Sequence, residues 1–253
     1  METEDIKLQK YVSECGLMSR RAAEKEIENG FFEINGEKAH LGARVKPDSD
    51  AVTYKGRPIN PKTGKRVYII LNKPKGYVTT MSDEKGRKTV AELVDAKTRV
   101  YPVGRLDINS EGLLLMTDDG ELANEIMHPS NMVQKIYRVT VRGNIENTTL
   151  DRLRAVKEIG GEKIAPFGLR LISRSDISSV IEFTLHEGKN REVRRICETE
   201  NLFIKKLVRT ALGPLRLGNM KTGEYRSLTR EELISLRKTA ESGGNKNGYG
   251  KKR

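Results

Sequence analysis

The segment GRLDINSEGLLLMTDDGELANEIMHP, Gly104 to Pro129, places one carboxylate, Asp107, in a loop immediately ahead of an apolar run. Leu113-Leu114-Leu115-Met116 shows no polar alternation, so it reads as a strand buried on both faces. Asp119-Gly120 has turn chemistry, and the spacing beyond it predicts a helix that ends near His128-Pro129. A carboxylate beside a core strand is costly unless it is paired or has chemistry to perform. Taken alone, Asp107 reads as a loop residue that pairs with Arg105 or caps a turn.

Working outward, Val67-Tyr68-Ile69-Ile70-Leu71 repeats the buried-strand pattern. Strands are expected at Ile136–Val141 and Val180–Leu185, and helices at Thr148–Glu158 and Asn190–Thr199. Thr229 with Glu232 forms a capping box for a final helix. Strands outnumber helices without a regular βαβ rhythm, which predicts an α+β fold with a mixed, mainly antiparallel sheet over residues 66–240.

Before it, residues 1–60 read as a small α+β module. Ile6–Glu14 has helical periodicity, broken by Gly16, and Ser19 can cap a second helix that Asn29-Gly30 ends. Phe31–Ile34 turns at Asn35-Gly36, and the strand Ala51–Tyr54 turns at Lys55-Gly56. The linker is Pro61 to Lys65, within NPKTGK. Residues 241–253 form a glycine-rich basic tail, expected to be disordered.

The chain of 253 residues has 47 Lys and Arg against 35 Asp and Glu, a net charge of +12, which points to a polyanionic partner such as nucleic acid. The excess lies beyond residue 60, because residues 1–60 hold ten basic and eleven acidic side chains. Cys15 and Cys197 are far apart, and His40, His128 and His186 are scattered, so neither a disulfide scaffold nor a metal site is expected. METEDIKLQK has no apolar core of a signal peptide, and no apolar run approaches the ~18 residues of a membrane span. We therefore expect a cytoplasmic protein, a monomer, with no membrane partner.

The order KLQKYVSECGLMSRRAAEKEIENGFFEINGE followed by VKPDSDAVTYKGRPI resembles the alpha-L RNA-binding motif shared by a small-subunit ribosomal protein, tyrosyl-tRNA synthetases and several RNA-modifying enzymes. That resemblance implies phosphate contacts, with Lys10, Arg20, Arg21, Lys38, Arg44 and Lys46 as candidates. Arginines opening a helix suit this use, since they lie beside free backbone N–H groups.

Three further segments stand in order around Asp107: NKPKGYVTT (Asn72–Thr80), KIYRV (Lys135–Val139) and EGKNREVRR (Glu187–Arg195). With GRLDxxSxGLLLxT they resemble the pseudouridine synthases, in the branch that acts on ribosomal RNA and carries a preceding alpha-L domain. The resemblance implies breakage of the ribose–N1 bond, rotation of the uracil and rejoining through carbon 5, with no metal, nucleotide or other cofactor. It maps the nucleophile or base onto Asp107. It also maps a carboxylate-pairing arginine onto Arg194 and an aromatic ring that stacks on the extruded uracil onto Tyr137. Arg105 is implied to support the flipped nucleotide, and Lys73 and Lys75 to contact backbone phosphate or support the catalytic loop. Arg195 reads as a solvent-facing neighbour, and no role follows for Glu192.

SRRAAEKEI, ELANEIMHP and EGKNREVRR lean towards relatives that modify large-subunit RNA near the peptidyl-transferase centre, with pre-ribosomal large subunits as partner. A small-subunit target is the runner-up. Two other classes compete: a non-catalytic ribosome-associated RNA-binding factor, and a magnesium nuclease using Asp107, Asp118 and Asp119.

Overall fold

The computed structural model describes residues 4–61 and 64–244. The chain divides into two compact units, one of Met1–Val67 with Ala96–Val100 and the other of Tyr68–Asp95 with Tyr101–Arg253. The inclusion of Ala96–Val100 in the first unit has no signal in the sequence, where the boundary is expected at residues 60–66.

The first unit runs β1 (Ile6–Lys7), α1 (Leu8–Glu14), α2 (Arg20–Glu28), β2 (Phe32–Ile34), β3 (Glu37–Lys38), β4 (Arg44–Val45), β5 (Val52–Tyr54) and β6 (Arg57–Pro58). Ile6 and Lys7 are not helical, as their periodicity predicts, but pair with Val45 and Arg44. The helix begins only at Leu8, whose N–H goes to Ala43 O. Ser19 caps α2 by accepting from Ala22 N at 3.1 Å. Asn35-Gly36 and Lys55-Gly56 all have positive φ, the geometry of a tight hairpin turn. Leu8, Tyr11, Val12, Ala23 and Ile27 from the helices bury against Phe32, Val45 and Val52.

The second unit continues β7 (Tyr68–Lys73), β8 (Tyr101–Pro102), β9 (Glu111–Thr117), α3 (Gly120–Met127), β10 (Lys135–Arg142), α4 (Asn147–Arg154), β11 (Glu158–Ile159) and β12 (Glu162–Lys163). It ends with β13 (Gly168–Arg174), β14 (Ser178–Leu185), α5 (Glu192–Glu198), β15 (Ile204–Leu212), β16 (Leu215–Arg216), β17 (Tyr225–Ser227) and α6 (Arg230–Gly244). The nine-stranded sheet has the order β13-β14-β10-β15-β9-β7-β17, with β16 on β15 and β8 on β9. β15 and β9 run parallel, through only two residue pairs, and the other neighbours are antiparallel. The fold is α+β with a mixed, mainly antiparallel sheet.

The two halves of this sheet are covered on opposite faces. On β14, Ser179, Ile181, Phe183 and Leu185 are buried in alternation. Val139 pairs with Ile181, and Tyr137 with Phe183, so β10 turns these residues to the same side. Leu150 and Leu153 of α4 and Val193 and Ile196 of α5 complete that core. Across the seam, Leu113 and Leu115 of β9 and Ile70 of β7 pack instead with Leu122 and Ile126 of α3 and Leu236 of α6. Both faces of β9 are buried from Gly112 to Thr117, as its unbroken apolar run predicts.

Several boundaries differ from expectation. α4 stops at Arg154, because Gly160-Gly161, both at positive φ, turn Glu158–Ile159 back onto Glu162–Lys163 as a hairpin. α5 starts at Glu192, because Arg191 is left-handed with φ 50°. Asp119 is the N-cap of α3 rather than part of a free turn and accepts from Leu122 N at 3.1 Å. α6 continues through Gly244, so Glu241 to Gly244 belong to a helix and not to the expected tail. The remainder of that tail, residues 245–253, lies outside the described residues, as do Lys62 and Thr63 of the linker.

Candidate active site

The Asp107 loop is built by the segment that precedes it in sequence. Lys73, the last residue of β7, is fully buried. Its Nζ donates to Pro74 O at 3.0 Å, Asp107 O at 3.2 Å and Ser110 O at 2.9 Å. An ammonium has three N–H donors, and three carbonyls take them. Thr79 adds a second pin, donating from Oγ1 to Leu106 O at 2.6 Å and accepting from Leu106 N at 3.2 Å. Gly76 N donates to Ile108 O at 2.7 Å. The NKPKGYVTT segment thus clamps the backbone on both sides of Asp107 and leaves its side chain about one-third exposed, at 32%.

Two guanidinium groups flank that carboxylate. Arg194 Nε lies 3.5 Å from Asp107 Oδ2 and Arg191 Nη1 lies 3.9 Å from the same oxygen. Arg194 is itself held, donating from Nη2 to Asn109 O at 2.9 Å and to Ser110 Oγ at 3.2 Å. Its Nε has no hydrogen-bond partner, so the contact with Asp107 is an ion pair with room to tighten. The left-handed turn at Arg191 aims a second cation at the carboxylate, which sequence reasoning missed although the residue stands inside EGKNREVRR. Ser110 was likewise only a letter in the motif.

Tyr137 lies on β10, half-buried over the core beneath α5, with Phe183 and Arg209 as its cross-strand partners. That is the face on which α5 presents Arg194. Glu192 is buried, accepts from Lys189 N at 3.0 Å, and has its other oxygen, Oε1, without a hydrogen-bond partner. Burial raises its pKa. Arg195 does not face solvent freely. It pins the β11–β12 hairpin through Ile159 O and Glu162, the latter at 3.2 Å.

Of the two expectations for Lys73, its burial and its three carbonyl acceptors do not fit phosphate contact and are compatible with support of the loop. Lys75 and Arg105 are exposed on the two segments that form this loop. In the first unit, Lys10, Arg20 and Arg44 line one open groove of about 450 Å³ beside Glu24. Arg44 is committed there to Asp5, with Nε 2.9 Å from its carboxylate and Nη2 2.6 Å from its carbonyl. Arg21, Lys38 and Lys46 are exposed but outside the groove's lining. Asp119 is spent on fold maintenance, taking Tyr68 Oη at 2.7 Å and Arg237 Nη2 at 2.8 Å besides its cap bond. Among the described residues no group of three or more His, Cys, Asp and Glu is placed to hold a metal ion, and no helix is long and apolar enough to cross a membrane.

Burial lowers the pKa of Lys73 to about 8, against the pull of Asp107 and Glu111, and burial and then Arg209 lower Lys135 to about 8. The unfolded chain holds these protons up to about pH 10.4. Between the two values the unfolded state binds more protons at these lysines, which raises stability with pH. Cys15 and Cys197, pushed up by burial to about 11 and about 12, act in the opposite direction. Urea unfolding of Lys73→Met across that range should show a slope of stability against pH that is lower than wild type by up to one proton, roughly 1.4 kcal/mol per pH unit. An unchanged slope would contradict a desolvated Lys73.

Comparison with known proteins gives this geometry its class. The family model described as RNA pseudouridylate synthase matches residues 67–199, more than half of the chain. The chain belongs to that family, whose enzymes isomerise uridine within RNA. An RNA pseudouridine synthase of Aquifex aeolicus, itself uncharacterised, is 40% identical over 235 residues, covering 92% of this chain and 94% of its own. Ribosomal large subunit pseudouridine synthase B of Bacillus subtilis is 37% identical, over 94% of this chain and 98% of its own. A crystal structure of a pseudouridylate synthase superposes with a TM-score of 0.64 at 26% identity, over 91% of this chain and 99% of the other.

Proposed function

We propose that this protein converts uridine to pseudouridine in ribosomal RNA, with a large-subunit target, and that Asp107 is its nucleophile or base. The observation that carries the chemistry is the Asp107 carboxylate, accessible yet fixed, with Arg194 and Arg191 at 3.5 and 3.9 Å and its backbone clamped by Lys73. In this reading Arg194 orients the carboxylate against the ribose, and Tyr137 stacks on a uracil drawn out of its helix. The bond from ribose C1′ to N1 breaks, the base turns, C1′ joins C5, and the C5 proton leaves while N1 gains one. The first unit acts as an alpha-L module, contacting phosphates through Lys10, Arg20, Arg21, Lys38 and Lys46, with Arg44 after release from Asp5. Lys75 and Arg105 hold the RNA nearer the reacting base.

The Bacillus relative's name supports the large subunit as substrate, and assembly intermediates in the cytoplasm would present it to a monomeric enzyme. The alternative is a small-subunit uridine. Mapping pseudouridines in ribosomal RNA from cells with and without the gene should show one or a few large-subunit sites disappear. Loss confined to small-subunit RNA would overturn the target, and no loss at all would overturn the ribosomal assignment. RNA affinity should also fall with salt by a log–log slope of roughly 0.7–0.9 per phosphate contacted.

A further inference from the structure

Glu192 opens α5 between Arg191 and Arg194, the two arginines that flank Asp107, and it is only 3% exposed. It closes the turn before the helix in both directions. Its N–H donates to Lys189 O at 3.2 Å, and its Oε2 accepts from Lys189 N at 3.0 Å. That turn sets Arg191 at φ 50°, a left-handed conformation that a non-glycine residue keeps only where its surroundings impose it. The other oxygen, Oε1, is buried and meets no donor. Within its hydrogen-bonding reach is a second acid, Glu187, whose own Oε1 accepts from Ala165 N at 2.7 Å. The cations around the pair are engaged elsewhere. Lys189 Nζ goes to Glu162 Oε1 of β12 at 3.1 Å and to Lys163 O, and lies 3.9 Å from Glu187 Oε1. Lys135 faces Glu192 from β10, but its Nζ donates to Val133 O at 3.0 Å and is repelled by Arg209 of β15. Arg195 of α5 is bound to Glu162 at 3.2 Å. A bare carboxylate so buried, beside another, is costly through desolvation and through like-charge repulsion. Both costs disappear if Glu192 carries a proton, because a carboxylic acid has one O–H to donate.

We propose that Glu192 is a positioning residue in its acid form, donating from Oε1 to the Glu187 carboxylate, and that this one-proton bridge holds the turn that aims Arg191 and Arg194 at Asp107. The effect on rate rests on the isomerase reading, whereas the bridge itself does not. With the proton in place, one carboxyl group donates through Oε1 and accepts through Oε2. The Glu187 and Lys189 ends of the turn are thereby both tied to the first residue of α5. Ionisation leaves two carboxylates with no proton between them, so they separate and the reciprocal bonds to Lys189 loosen. Arg191 then loses the imposed left-handed turn, and with it the approach to the oxygen that Arg194 also flanks. Burial raises the pKa of Glu192, the Lys189 N–H opposes that rise and Glu187 adds to it. The unfolded chain gives up this proton near about pH 4.3. Stabilisation by the bridge is therefore complete below that range and is lost as pH rises through the folded value.

The test uses full-length wild type, Glu192→Gln and Glu187→Gln. Glutamine at 192 reproduces the bridge without a titrating proton, since its amide N–H donates to Glu187 and its carbonyl accepts from Lys189 N. With glutamate labelled by carbon-13 at the side-chain carboxyl, the signal missing from Glu192→Gln reports Glu192. In wild type that signal should titrate above the ordinary glutamate range, and in Glu187→Gln it should titrate at lower pH. Pseudouridine formation is then followed in single turnover, on RNA carrying the mapped uridine, across the interval in which the wild-type signal titrates. At the acid end Glu192→Gln should react within about threefold of wild type. As pH rises through the interval, the wild-type rate relative to Glu192→Gln should fall roughly tenfold, the size of one hydrogen bond to a charged group. A glutamate that only stabilises the fold would not give a rate ratio that tracks its own titration. A Glu192 signal that titrates in the ordinary range, or that ignores Glu187→Gln, would overturn the bridge. A flat rate ratio, or a Glu192→Gln more than tenfold slower at the acid end, would overturn the positioning role. Absence of product from wild type at every pH would overturn the isomerase reading, and the carbon titration would still decide whether the bridge exists.

Discussion

Asp107→Asn should reduce pseudouridine formation by on the order of 10³-fold or more while leaving RNA affinity within about threefold. The substitution removes one charge at nearly constant volume. It leaves the clamp intact, because Lys73 and Ser110 N bind the carbonyl of Asp107 and not its side chain. What disappears is the carboxylate that Arg194 and Arg191 flank, and with it the group proposed to attack or deprotonate the sugar. Release of tritium from carbon 5 of labelled RNA, read beside a binding titration, measures both quantities. Turnover within tenfold of wild type would remove Asp107 from the chemistry. A parallel loss of affinity and folding would mean that the carboxylate is structural.

Gly112→Ala should produce the largest loss of stability. A Cβ there would lie 2.3 Å from Arg209 O, 2.7 Å from Arg209 N and 2.9 Å from Val208 Cγ1, on a backbone with φ +106°. The obstacle is the neighbouring main chain, which cannot rotate aside, in a parallel seam of only two residue pairs. A cost of about 3–5 kcal/mol is expected, which for a chain of this size lowers Tm by roughly 6–20 °C. Gly76→Ala is the control. It also has positive φ but meets nothing within 4 Å, so it should cost only about 1 kcal/mol. Equal losses in thermal unfolding of the two variants would show that the strain is conformational and that the close approach is unimportant.

Much of this fold is legible in the sequence where one local rule decides. The unbroken apolar runs of β7 and β9, the Asn35-Gly36 and Lys55-Gly56 turns and the Ser19 cap follow from side-chain period and turn chemistry alone. What was missed depends on partners distant in sequence. Ile6 and Lys7 carry a helical pattern but find a strand near residue 44. β13 and β15 were not anticipated, because β13 alternates at a half-exposed edge and β15 mixes lysines with its apolar residues. At the site, the residue types in GRLD and EGKNREVRR were informative, and geometry assigned the rest. Lys73 looks like any basic residue beside a loop until its burial is known. Arg191 gains its place from one left-handed turn.

The seam between β9 and β15 has an evolutionary consequence. Asp107 hangs from one half of the sheet, and Tyr137 and Arg194 belong to the other, so the spacing of the groups proposed to react is set at the middle of that sheet. The outermost strands, β13 and β17, lie two or three strands away from that join. Loops at those margins can lengthen, shorten or diversify to follow a new RNA outline while the reacting distances stay the same. Innovation in substrate choice is therefore cheapest at the periphery, and the centre is where a lineage has least freedom to drift.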